Sequence, residues 1–265
     1  MGRGAVEFQR ADDARRLFFE MPKPELHLHL DGSLDPALAL ELAATRNVDA
    51  PRDWAGMRAA LVAPERCADQ ADLLRAFDLP IALLQDAEAL DRAAEQLVRA
   101  KAAENVAYLE MRWGPHLHTA KGLTQAQVIA AVAAGARRAA AETGIEVRLI
   151  ITALRSHSLE ENRNLATAAV AAQDLGVVAF DLAGLEAAFP DPLTFKEPFD
   201  IARNGAAGVP PLFMNHLAHL ILRNALDGFE DPYVLRAGEL FFRPQRASIH
   251  DGALLLADAE RIEEA

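Results

Sequence analysis

Residues 24–33, PELHLHLDGS, alternate leucine with histidine and then turn at Asp31-Gly32. In a β-strand every second side chain points the same way. Leu26, Leu28 and Leu30 of ELHLHL (25–30) would therefore line one face, and His27 and His29 the other. Two imidazoles at that spacing can hold one zinc ion, with a carboxylate or a third histidine completing a site that leaves room for water. A pair of hydrogen-bonded core histidines, or an exposed strand face, would show the same pattern. The neighbouring elements have to choose between these.

Working outward, strand-like and helix-like segments alternate. DPALALELAATRN starts a helix with Asp35 as N-cap and Pro36 at the first helical position. An amphipathic helix is expected over 86–105, followed by a strand, VAYLEMRW (106–113). Thr124 opens a long helix that stops at Gly144, and EVRLIIT (146–152) follows as a strand. Ser158 and Glu161 form a capping-box pattern for a helix that ends near Gly176, before a fourth strand, VVAFDLAG (177–184). Short apolar strands separated by helices indicate parallel βα units. No strand is followed by a Gly-rich phosphate loop, which weakens a nucleotide-binding open sheet. In a (β/α) barrel the chemistry sits at the C-terminal ends of the strands. His27, His29, Glu110, Arg112, Asp181 and Gly184 all lie at or near such ends, so the expected fold is an α/β, TIM-type (β/α)8 barrel.

The 265 residues suffice for one large domain, here read as a single barrel domain over 1–265. With 51% hydrophobic and 25% charged residues the chain has a globular balance. Its formal charge of −12 argues against nucleic acid as a partner and leaves a small neutral ligand unopposed. A lone cysteine, Cys67, excludes a disulfide framework and a multi-cysteine zinc site, and fits a reducing, cytoplasmic setting. The N-terminus lacks the apolar core of a signal peptide, and no apolar run has the length of a membrane span.

MPKPELHLHLDGS resembles the opening of the adenosine deaminase family, zinc-dependent purine aminohydrolases on a (β/α)8 barrel. NVAYLEMRWGPHLHTAKGLT resembles that family's second strand and following loop, VVAFDLAGLEAAFP its fourth strand, and FKEPFDIARNG the next helix. Together these cover about residues 15 to 205, in the right order. HLDGS is more similar to the adenosine branch than to the adenine branch, which tends to carry glutamate at the position of Asp31. The resemblance implies His27 and His29 as zinc ligands, with His29 also against the substrate. It implies Asp31 as the partner of the ribose 5′-hydroxyl, and the backbone of Gly184 as a contact to a purine ring nitrogen. Taken alone, Asp31-Gly32 would read as a strand-end turn and Gly184 as a helix-entry turn. The implied reaction is hydrolytic deamination of adenosine or 2′-deoxyadenosine to inosine and ammonia. A purine nucleoside is the implied partner, Zn2+ the cofactor, and the zinc lowers the pKa of bound water to about 7. The H-x-E and P-C-x-x-C deaminases are excluded by the single cysteine.

After Gly205 the sequence departs from that pattern. Residues 206–235 read as an irregular insertion containing a helix and no clear strand. The family's fifth-strand motif, His-Ala-Gly-Glu, has its nearest equivalent in VLRAGE (234–239), with Arg236 at the ligand position and Glu239 as the candidate catalytic acid. Arginine stays protonated and has no lone pair for a metal. ASIHDGALLLADAERI (247–262) resembles the helix and strand start that come after this motif in the family. The chain then ends at ERIEEA, short of the family's Gly-His-Gly and Asp-Asp motifs, so about five to six of eight strands are expected. On this pattern the alternative is a catalytically defective, purine-binding or non-enzymatic relative. Among the other histidines, His216 and His219 would share the polar edge of a helix. His116 and His118, in GPHLHTAKG, read as a loop with a solvent-facing or lid role. His157 and His250 read as isolated surface residues.

Overall fold

The computed structural model describes residues 11–205 and 213–214. Helix α1 (Ala11–Glu20) leads into strand β1 (Lys23–His29). Four helices follow: α2 (Pro36–Arg46), α3 (Trp54–Leu61), α4 (Gln70–Leu74) and α5 (Asp78–Leu83). Then come α6 (Ala87–Ala103), β2 (Val106–Trp113), α7 (Gln125–Thr143), β3 (Glu146–Leu154), α8 (Leu159–Ala171), β4 (Val177–Ala183), α9 (Lys196–Asn204) and β5 (Phe213–Met214).

Local chemistry accounts for most of these boundaries. The Asp35 carboxylate accepts hydrogen bonds from the backbone N–H groups of Ala37 and Leu38, at 2.8 and 3.2 Å, and so starts α2. Thr124 with Gln127 and Ser158 with Glu161 make complete capping boxes at the starts of α7 and α8. Gly144, at φ +77°, closes α7 in the left-handed region that glycine occupies without strain.

The five strands pair in parallel in the order β1-β2-β3-β4-β5. A doubly wound open sheet reverses its strand order at a switch point, whereas a barrel adds each strand beside the last. The sequential order, with helices between the strands, makes the described residues an α/β, TIM-type barrel segment of five strands. Strand β5 corrects the expectation of no strand in 206–235. Phe213 pairs with Ala179 and Met214 with Phe180. Two residues are too few for any alternation to show in the sequence. The remainder of 206–235, and the whole of 234–265, lie outside the described residues.

One face of the sheet carries the core. Leu109, Met111 and Trp113 of β2, Leu149, Ile151 and Ala153 of β3, and Phe180 and Leu182 of β4 join one cluster with α6, α7 and α8. The intervening residues, among them Arg112, Thr152 and Asp181, must therefore point to the barrel interior. Outside the sheet, α6 and α7 pack so closely that a Cβ on Gly135 would lie 2.0 Å from the Asp91 carbonyl oxygen. Arg138 bridges the same pair of helices through Asp91 and Glu95. Gly135→Ala is expected to destabilise the fold by about 1–3 kcal/mol or more, because backbone rather than a flexible side chain must give way. Urea denaturation checks this; an unchanged midpoint would mean that the helices separate at little cost.

Candidate active site at the strand ends

Strand β1 does not run as a simple alternating ribbon. Glu25 pairs with Leu109 and Leu28 with Met111, so β1 has one residue more than β2 over that interval, a β-bulge. The bulge leaves Leu26 38% exposed, whereas Leu28 packs against the core and Leu30 is buried. His27 and His29 nevertheless come together, with ring centroids 5.4 Å apart and planes tilted by 39°. The edge of the Phe77 ring meets His29 at 5.8 Å. His27 is exposed by surface area, yet desolvation by the surrounding protein, the Arg112 charge and His29 depress its pKa to about 4. Burial lowers that of His29 too; Asp31 opposes the shift, Arg112 adds to it, and Asp181 opposes it. Both rings are therefore neutral near pH 7 and keep a lone pair for a metal or a hydrogen bond.

Beside them lies a buried ion pair. Arg112, paired in register with His29, donates from Nη1 to Asp181 Oδ2 at 2.9 Å, crossing from β2 to β4 over Thr152. Its Nη2 donates to the Leu26 carbonyl at 3.0 Å, which ties the bulge to the pair. Glu110 accepts from the Tyr108 hydroxyl at 3.0 Å; burial raises its pKa, and burial with the Glu110 charge pushes Tyr108 up to about 12.

Asp31, next on the same side, is 3% exposed. Its Oδ1 stands 3.9 Å from His29 Nδ1 and its Oδ2 stands 3.7 Å from His118 Nε2, both too long for a hydrogen bond. Gly184 adopts φ +117°, and a Cβ there would sit 3.4 Å from the Arg155 backbone N. Its carbonyl accepts from Gln70 Nε2 at 3.4 Å, while the Glu186 N–H donates to Gln70 Oε1, so α4 clasps this loop.

His27, His29 and Asp31 thus lie together at the C-terminal end of β1, with Gly184 at the end of β4. Glu239, Arg236, His216, His219 and His250 lie outside the described residues. Two expectations fail. His118 does not face solvent; it is fully buried, held by Leu84 and Gln85 far upstream, a placement that the local sequence GPHLHT cannot signal. His157 is not isolated; its ring centroid is 4.2 Å from that of His116, whose Nε2 is 3.2 Å from Glu161. Phe77, Gln70 and Gln85 were not foreseen either, since each acts through residues distant in sequence. Among the described residues, no group of three or more histidine, cysteine, aspartate or glutamate side chains is arranged to hold a metal.

A family model described as adenosine deaminase matches residues 22–211. The adenosine deaminase of Enterococcus faecalis is 36% identical over 183 residues, covering 69% of this chain and 54% of that protein. That of Clostridium perfringens is 41% identical over 167 residues, 63% of this chain and 50% of that one. The chain therefore spans about half the length of the curated relatives it matches. Among solved structures, a Zn-bound amidohydrolase from Burkholderia ambifaria aligns with a TM-score of 0.69 at 25% identity, covering 85% of this chain and 60% of that one. An Arabidopsis ADAL complexed with GMP aligns at 0.62 and 26% identity, over 87% and 65%.

Proposed function

The chain belongs to the adenosine deaminase family, and from that premise we propose that its strand-end site serves the hydrolytic deamination of adenosine and 2′-deoxyadenosine to the inosine nucleosides and ammonia. One observation carries this reading: two neutral histidine rings, 5.4 Å apart, converge beside a buried carboxylate at the end of β1.

His27 and His29 fit zinc, since neutral imidazoles are the form that ligates it and depressed pKa values keep them so. When bound, zinc supplies an acidified water as nucleophile. The Arg112–Asp181 pair positions the ligands by fixing the β1 bulge through the Leu26 carbonyl. Asp31 would take the sugar hydroxyl. An uncharged nucleoside suits that place, because a phosphate beside a buried carboxylate would be repelled. The Gly184 backbone would meet the purine ring, where a side chain would obstruct it. Glu239 would protonate the ring nitrogen. A cytoplasmic setting is part of the same proposal.

In the sequence, His216 is a candidate for third metal ligand in place of Arg236. The second reading, purine binding without turnover, is favoured by Arg236 standing in the Ala-Gly-Glu motif where a ligand would be.

Incubating the zinc-loaded chain with adenosine and following inosine separates the two. Turnover is expected, with Glu239→Gln reducing it at least about a hundredfold and His216→Ala lowering zinc retention. Adenosine binding without inosine would replace the first reading by the second, and no binding at all would reject both.

A further inference from the structure

His118 is the most constrained histidine of the site, and neither zinc nor the reacting ring gives it a role. It is fully buried on a short 3-10 turn, Pro115–His118. Its Nδ1 lies 2.9 Å from the Leu84 carbonyl oxygen, an acceptor only, so Nδ1 carries the proton. Gln85 holds the chain on either side: its Nε2 donates to the Leu117 carbonyl at 2.8 Å and its Oε1 accepts from the Ala120 N–H at 3.1 Å. Three hydrogen bonds from Leu84 and Gln85 thus fix the ring and aim Nε2 at Asp31 Oδ2, 3.7 Å away.

That aim has a cost. Nε2 of His118 and Oδ1 of Asp31 are both buried without a hydrogen-bond partner. Leaving a buried polar atom unsatisfied is worth about 1–3 kcal/mol against the fold. A ring needed only for packing could be a leucine or phenylalanine at that position and avoid the loss. A neutral hydroxyl relieves both residues when His118 carries a proton at Nε2 as well: its oxygen, at ordinary hydrogen-bond distance of about 2.8 Å, accepts from Nε2 and its proton goes to the Asp31 carboxylate. A carboxylate or phosphate would add charge against Asp31, and a methyl group would satisfy neither.

We propose that His118 is a substrate-binding residue that, with Asp31, recognises the hydroxyl group at the sugar end of a nucleoside and so sets selectivity for hydroxyl-bearing ligands. This role rests on the purine-nucleoside reading of the same pocket. It differs from that reading in giving a part to the loop after β2, through a residue whose two ring nitrogens have separable duties.

The separation supplies the test. Asparagine reproduces the Nδ1 donor of histidine but has nothing at the Nε2 position, so His118→Asn keeps the bond to Leu84 and removes the group facing Asp31. Adenosine and 5′-deoxyadenosine, which differ by one hydroxyl, are titrated calorimetrically into the full chain, into His118→Asn and into Asp31→Asn. Thermal melting of each protein runs alongside. The parent is expected to prefer adenosine by about tenfold or more, and His118→Asn to erase most of that preference while melting within a few degrees of the parent. Asp31→Asn should erase it too, and the double variant should lose little beyond either single one. A His118→Asn protein that folds and keeps the tenfold preference overturns the proposal while leaving the pocket reading intact. If it fails to fold, His118→Gln, which restores a polar group near Nε2, has to regain the preference or the proposal falls. A parent chain that binds neither nucleoside rejects the pocket reading, and the role of His118 with it.

Discussion

Arg112→Met is expected to destabilise the protein by about 3–5 kcal/mol, a large part of the roughly 5–15 kcal/mol that holds a domain folded. The Arg112 side chain is 1% exposed and that of Asp181 is 4% exposed. Removing the guanidinium leaves a carboxylate in the barrel interior whose Oδ1 already lacks a partner. It also frees the Leu26 carbonyl, which the guanidinium holds at the β1 bulge. The loss therefore falls on both the folded state and the seating of His27 and His29. Arg112→Met combined with Asp181→Leu should recover most of the stability, because an apolar pair carries no desolvation cost. Denaturant unfolding of the two singles and the double forms the cycle. A single variant within about 1 kcal/mol of the parent would show that water reaches Asp181, and that the ion pair is not sealed by the barrel wall.

The two partners of that pair stand 69 positions apart in sequence. Residues 106–113 and 177–184 could be read as strands with polar groups at their ends, but nothing local says that the two ends meet. The legible parts of the fold were those whose physics is local. Asp35-Pro36, Thr124, Ser158 with Glu161 and Gly144 each mark a helix boundary through groups within a few residues, and all four stand where expected. The β1 bulge was hidden because it arises from pairing with β2, not from the alternation of ELHLHL. Residues 54–83 break into three short helices, none long enough to show a period of its own. His118 was misjudged for a similar reason: its environment is supplied by Leu84 and Gln85, more than thirty positions upstream. At the site, the convergence of His27 and His29 was legible from a spacing of two, and the depressed pKa values depend on desolvation and then on Arg112, neither of which the spacing reveals.

Loss of the metal site is the other large effect. His27→Ala with His29→Ala should weaken zinc binding by at least about a hundredfold per ligand, since even groups that only orient a ligand are worth about 10–100-fold. His27 is exposed and His29 only partly buried, so the fold should survive the change. Any zinc-dependent inosine formation should disappear with the metal.

The most direct measurement of the central claim is a zinc titration by calorimetry on the metal-free parent chain and on this double variant, at one pH and ionic strength. The account predicts one zinc site per chain in the parent and its loss in the variant, with superimposable circular dichroism. Equal zinc affinity in the two proteins would contradict it, because the metal would then be held by residues other than His27 and His29.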